Sequence, residues 1–207
     1  MENEISGLFP NPVYITERNS ELDVTEKKEI EDIIAEGVCR NINNVSSINK
    51  SIFDTKLKNI KGFCEQHLKI YVEQVIVPKE ELEFYITQSW LSITESGGSH
   101  HEHSHPNSII SGVFYISTVE NDGIVFSDPN IKQKKLITIE TEDYNIWNSS
   151  DWTMPVYKNQ LFLFPSWLFH RVEPNPNATT NRISLSFNVF LRGKIGSREN
   201  TTELILK

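Results

Sequence analysis

The sequence predicts a mainly β protein with N-terminal helices, its β part folded as a sandwich or jelly roll, and three observations carry that prediction. From about Glu83 the apolar pattern has a period of two, with Phe84, Ile86, Gln88 and Trp90 alternating against Tyr85, Thr87, Ser89 and Leu91. Short apolar runs then follow one another, separated by Asn-Asp-Gly, Asp-Pro and Asn-Pro turns, which suits two packed antiparallel sheets. Before Glu83 the spacing is helical instead.

Taken in order, residues 8–15 read as a short extended segment. Pro10 and Pro12 place it at a sheet edge, where missing backbone donors are tolerated. Asp23 or Thr25 can cap a helix running to about Cys39, with Ile30, Ile33, Ile34 and Val38 on one stripe. A polar stretch from Asn41 to Lys50 precedes a second helix, roughly Ser51 to Tyr71, where Phe53, Leu57, Ile60, Phe63, Cys64, Leu68 and Tyr71 recur at helical spacing. After the strand from Glu83, the turn Glu95-Ser96-Gly97-Gly98-Ser99 leads into a histidine run. Further strands are expected at Ile109–Thr118, Gly123–Ser127, Leu136–Glu140, Tyr144–Trp147, Pro155–Tyr157, Leu161–Phe164, Phe169–Glu173 and Ile183–Leu191. The chain is expected to be one domain, 1–207, with a helical flank over about 23–71 and a β core over about 82–191.

With 207 residues, 38% hydrophobic and 23% charged, the composition is that of an ordinary globular chain with one good core. A net charge of −8 argues against general affinity for nucleic-acid backbones, which need clustered Lys and Arg. No window approaches a transmembrane span and the start Met1-Glu2-Asn3-Glu4 is acidic, so cytoplasmic residence is expected. Cys39 and Cys64 both fall in helical patterns and read as buried, reduced thiols. Asn-x-Ser/Thr triplets at Asn44, Asn49, Asn148, Asn177 and Asn200 follow from an Asn/Ser/Thr-rich composition.

The chemistry concentrates in His100-His101-Glu102-His103-Ser104-His105-Pro106, which holds four of the six histidines. Neutral imidazole is a common ligand for transition metals, whereas a solvated loop gains nothing from such density. Strand alternation puts His103 and His105 on one side, able to grip one ion, with His100 and Glu102 paired on the other. A third ligand is available downstream in His170, within the β-rich block Leu161 to Val172, and beyond it comes Arg182-Ile183-Ser184 at the head of an apolar run.

The order His-x-His, a long gap, His, then Arg-x-Ser resembles the non-haem Fe(II)- and 2-oxoglutarate-dependent oxygenases. More narrowly it resembles a bacterial and phage-borne group carrying His-x-His-Pro, Ser-Gly-Val-aromatic-Tyr, Phe-Pro-Ser-Trp-Leu-x-His and Arg-x-Ser-x-x-Phe-Asn. Here these are His103 to Pro106, Ser111 to Tyr115, Phe164 to His170 and Arg182 to Asn188, and Leu8 to Tyr14 resembles that group's Phe-Pro-x-Pro start. The resemblance implies a double-stranded β-helix core, His103, His105 and His170 as ligands of Fe(II), and 2-oxoglutarate as co-substrate bound by Arg182, Ser184 and Tyr115. It also implies O2 and a small-molecule or peptidyl substrate, the reaction being a hydroxylation. One departure matters: the second ligand is usually a carboxylate, and this chain has His105 there. The pair His100-x-Glu102 is an alternative, and the match of Pro106 and the Ser111-Gly112 spacing to that group favours His103 and His105.

Blander readings stand beside these. The histidine run could be an adventitious metal-binding loop, Arg182 a surface ion-pair partner, and His67 a satisfied core histidine. The aromatics Trp90, Tyr115, Trp147, Trp152 and Trp167 fit a core as well as a pocket. A three-histidine dioxygenase that does not use 2-oxoglutarate, or a non-catalytic metal-containing jelly-roll binding module, would share the same motifs.

Overall fold

The computed structural model describes residues 5–131, 137, 139–196 and 204–206. Its first strand, β1 (Tyr14–Glu17), is followed by helix α1 (Val24–Glu36), a hairpin of β2 (Val38–Arg40) and β3 (Val45–Ser47), and helices α2 (Ile52–Thr55) and α3 (Lys58–Tyr71). A π-helical turn, Val72–Ile76, closes α3. The remainder is β: β4 (Glu83–Thr94), β5 (His100–His103), β6 (Ile110–Ser117), β7 (Gly123–Ser127), β8 (Asp151–Pro155), β9 (Gln160–Pro165), β10 (His170–Val172), β11 (Arg182–Ile195) and β12 (Leu204–Leu206).

The strands form two sheets whose ladders are all antiparallel. The larger has eight strands in the order β1-β9-β6-β11-β4-β3-β2, with β12 added to β11, and the smaller has four in the order β5-β10-β7-β8. Side-chain alternation explains the layering. Inward residues of β6 and β9, among them Val113, Tyr115, Phe162 and Phe164, meet Ile124 and Phe126 of β7 between the sheets. Their opposite-facing neighbours, Phe114, Leu161 and Leu163, pack with Leu91, Leu185 and Phe187 against Ile30, Ile33, Phe53, Ile60, Cys64 and Leu68 of the helices. The helices therefore lie outside the larger sheet, as the sequence pattern predicts. Gly112 lets one ring cross the ladder: a Cβ there would lie 2.0 Å from Cζ of its register partner Phe187.

Local chemistry explains where the expected elements shift. Helix α1 is capped by Asp23, whose Oδ1 accepts from the Glu26 N–H at 2.8 Å while Glu26 Oε2 accepts from the Asp23 N–H at 3.0 Å. It stops at Glu36, short of Cys39, because Gly37 adopts φ 128°, and the chain turns into β2. Cys39 is consequently exposed on a strand, against the expectation of a buried helical thiol, while Cys64 is buried; both are free. The expected helix over 51–71 is broken at Leu57, which is buried at φ 54° with its N–H donated to Glu29 Oε2 at 2.7 Å. The polar stretch 41–50 contains β3 rather than being all loop.

Residues 8–13 make no ladder, and pairing starts at Tyr14, on the edge strand β1. Tyr144–Trp147 is a turn, not a strand, because the Asn145 side chain accepts from the Trp147 N–H at 2.8 Å. The strand expected at Pro155–Tyr157 lies instead at Asp151–Pro155. Of the strand expected at Leu136–Glu140, Leu136 and Thr138 lie outside the described residues, as does Asn200. No helix among the described residues is long and apolar enough to cross a membrane.

Candidate metal centre

The smaller sheet carries two of the histidines face to face. In the β5/β10 ladder His103 is the register partner of His170, and the ring centroids lie 4.4 Å apart. His105 lies two residues past the end of β5, where its backbone N–H donates to the Ser166 carbonyl at 2.9 Å. That contact holds its ring 5.0 Å from His103 and 5.3 Å from His170, nearly parallel to the latter at 9°. The ligand atoms of His103, His105 and His170 all lie within 4.8 Å of one another, a spacing that can hold a metal ion.

Their surroundings favour the neutral, coordinating form. Nδ1 of His103 faces the His101 carbonyl at 2.8 Å and Nδ1 of His170 faces the Leu168 carbonyl at 3.0 Å. With Nδ1 as donor in each, Nε2 keeps its lone pair for a ligand role and the ring is fixed in orientation. Burial lowers the pKa of all three rings. For His105 the value falls to about 4, with His103 adding to the effect; His103 is lowered, and His170 lies well below the ordinary range.

One expectation about this run is overturned. Strict alternation puts His100 with Glu102, away from His103. The ladder instead pairs His170 with His103 and Val172 with His100, so two residues of β5, His101 and Glu102, oppose the single Arg171 of β10. That bulge changes the phase, and His100 turns into the same cavity as His103, stacked on it at 4.3 Å and 21°. Asn41 Nδ2 lies 3.3 Å from His100 Nε2, and burial drops this ring's pKa to about 3. Glu102 is exposed and faces outward. It accepts from the Ser127 hydroxyl and from Arg171 Nη1 at 3.2 Å, within a network in which Arg171 also meets Asp151 at 2.8 Å and Glu173 at 2.6 Å. The structure thus does not bring Glu102 to the histidine cluster.

The larger sheet supplies the other side of the cavity, with Arg182, Ser184 and Tyr115 on its wall. Arg182 opens β11 and is 5% exposed. Its Nε donates to both oxygens of Asp122, at 2.9 and 3.0 Å, its Nη1 donates to Ser184 Oγ at 3.3 Å, and its Cζ lies 5.1 Å from the Tyr115 ring centroid. The buried Tyr115 hydroxyl makes no hydrogen bond of good geometry among the described residues, Arg182 being its polar neighbour, and burial raises the pKa of its phenol. A buried phenol beside a guanidinium and a hydroxyl forms a donor set suited to a carboxylate, and three neutral imidazoles suit Fe(II). The residues present therefore fit both groups.

Asp122 is the residue that sequence reasoning missed. It sits in the Asn-Asp-Gly turn before β7 and reads as turn chemistry; the available signal was Arg182 itself, since a guanidinium entering an apolar strand requires a carboxylate. Of the aromatics, Trp90 and Tyr115 line the cavity, whereas Trp147, Trp152 and Trp167 are 50%, 42% and 53% exposed and do not. His67 is satisfied away from the site, its Nδ1 2.7 Å from the Tyr14 hydroxyl.

A two-sheet antiparallel fold holding a three-histidine cluster opposite a buried arginine defines a class, and comparison with known proteins agrees with it. Residues 88–188 match the family described as "Putative 2OG-Fe(II) oxygenase". The matched stretch is just under half of the chain, and it supports an oxygenase enzyme. The fold is similar to that of a 2OG-Fe(II) oxygenase family oxidoreductase from Burkholderia pseudomallei, with a TM-score of 0.58 at 9% identity over 86% of this chain and 83% of that one. It is also similar to a prolyl-4-hydroxylase from Pseudomonas putida, with a TM-score of 0.56 at 14% identity over 86% and 92%. The non-heme alpha ketoglutarate dependent carbocyclase SnoK from nogalamycin biosynthesis gives a TM-score of 0.61 at 12% identity over 89% and 81%. At such identities the likeness concerns the fold alone. No curated protein sequence matches the chain.

Proposed function

We propose that the protein is a non-haem Fe(II)- and 2-oxoglutarate-dependent dioxygenase, a hydroxylase built as a single double-stranded β-helix domain. His103, His105 and His170 are the metal ligands in this reading, and Arg182, Ser184 and Tyr115 hold the co-substrate. The observation that supports it most is the convergence of three imidazole nitrogens within 4.8 Å of one another, in the cavity that also receives Arg182.

When bound, Fe(II) supplies the activation of O2 and the oxidative decarboxylation of 2-oxoglutarate to succinate, with oxygen delivered to a C–H bond of the substrate. The chain's own residues provide order. The Leu168 and His101 carbonyls fix the rings of His170 and His103, so that Nε2 of each points one way. Arg182 offers its Nη edge, and Ser184 and Tyr115 offer hydroxyls, to the far carboxylate of the 2-oxo acid. Val113, Ile124 and Phe187 wall the cavity with apolar surface and exclude water.

The experiment is to load the protein anaerobically with Fe(II), add 2-oxoglutarate and then O2, and measure succinate with and without candidate substrates. Succinate formation that disappears in His170→Ala is the expected result. A protein that holds the metal yet neither binds nor turns over 2-oxoglutarate would instead favour a three-histidine dioxygenase of another kind. That second reading draws on His105, which leaves the metal without a carboxylate ligand.

A further inference from the structure

We propose that Asp122 is a built-in counter-ion of Arg182 that sets how tightly, and how selectively, the co-substrate's distal carboxylate is held; this rests on the reading of Arg182 as the co-substrate anchor. Both Asp122 oxygens take the Arg182 Nε, and the two side chains are 2% and 6% exposed, so water offers little screening. The guanidinium is thereby neutralised before any ligand arrives, and its Nη edge, with Ser184 and the Tyr115 hydroxyl, is what remains for a carboxylate.

The charge count shows what this does. A site with two histidines, one carboxylate and an arginine anchor carries its single protein carboxylate on the metal. Here His105 leaves the metal end without one, and Asp122 places one at the arginine end. One negative charge has in effect moved from the head of the co-substrate's berth to its foot. A 2-oxo acid's head then meets an uncompensated metal, while a distal carboxylate must share Arg182 with Asp122 at hydrogen-bond range. The free space between the histidines and this wall is small, about 30 Å³, so a carboxylate entering it lies close to the Asp122–Arg182 pair. The consequence is reduced discrimination for a distal carboxylate, and Asp122 is the residue responsible.

The test uses Mn-loaded wild type and Asp122→Asn, titrated calorimetrically with 2-oxoglutarate and with 2-oxovalerate, which has the same five-carbon chain but no distal carboxylate. Asp122→Asn is expected to tighten 2-oxoglutarate by about tenfold, as removal of a neighbouring like charge does, and to leave 2-oxovalerate unchanged. The thermal gain on adding 2-oxoglutarate should also be larger in the variant, because the ligand then replaces the lost counter-charge. Should the variant not fold unaided, refolding in 2-oxoglutarate should recover it and 2-oxovalerate should not. An unchanged or weakened 2-oxoglutarate affinity, equal effects on both acids, or no selective rescue would overturn the proposal while leaving the oxygenase reading intact. Wild type that binds metal but not 2-oxoglutarate would overturn both.

Discussion

The two sheets differ in how they are held, and the site uses the difference. Strand β6 of the larger sheet is buried from Ile110 through Ile116, with helices on one side and the second sheet on the other. Its partner β11 is in register with β4 from Arg182↔Thr94 to Arg192↔Glu83. The smaller sheet is covered unevenly, with β7 buried from Ile124 to Phe126. Its strand β8 is largely exposed, and β5 meets β10 at only two register points. Metal-ligand candidates sit on or just beyond the lightly held sheet, and the anchor residues Arg182, Ser184 and Tyr115 on the rigid one. A site built across the gap can keep its co-substrate anchor fixed while its metal end adjusts.

Breaking the rigid side should cost most. Phe114→Ala removes a fully buried ring between sheet and helices and is expected to lower stability by about 3–5 kcal/mol in urea unfolding. The fraction that remains folded should still bind metal. Arg182→Ala strands Asp122, 2% exposed, as an unpaired buried carboxylate, which should likewise cost about 3–5 kcal/mol. In that variant 2-oxoglutarate affinity should fall by about two to four orders of magnitude, with metal binding retained because arginine has no lone pair to offer.

On the lightly held side, His170→Ala or His105→Ala should abolish stoichiometric metal binding with little change in the cooperativity of unfolding. Glu102→Ala should retain the metal, and metal analysis of the purified variants distinguishes the two outcomes. The smallest effect is expected at Arg171. It ties β5, β7, β8 and β10 together on the outer face through Glu102, Ser127 and Asp151, and holds the Asp151 carboxyl below its usual range. Its pairs are partly exposed, so Arg171→Ala should cost no more than about 1 kcal/mol. By loosening β5 behind its ligand it should also weaken metal affinity by about tenfold, the lower end of outer-shell effects.

Much of this arrangement was legible in the chain. A period-two run located β4, and short apolar runs bounded by turn residues located β6, β7, β9 and β11, because a strand covered by a layer on each face is apolar nearly throughout. The order of His103, His105, His170 and Arg182 located the cavity. What stayed hidden depends on partners distant in sequence. The bulge that turns His100 inward is set by Val172 across the ladder, so counting along β5 alone gives the wrong face. The break at Leu57 is held by Glu29 of another helix, and Asp122 acquires its role only where β11 begins.

The two-point attachment of β5 to β10 also governs how the protein breathes. Amide protons exchange through local openings whose free energy follows the packing and bonding of each segment. With so little ladder, β5 and β10 should open well before β4 and β11, so their amides should exchange first in deuterated solvent. An ion gripped by His103, His105 and His170 would join the same strands that the backbone joins so sparingly, and it would bind only the closed form. Slowed deuterium uptake in β5 and β10 on adding metal, with no change in β4 and β11, would identify the opening of β5 as the step through which the ion enters and leaves.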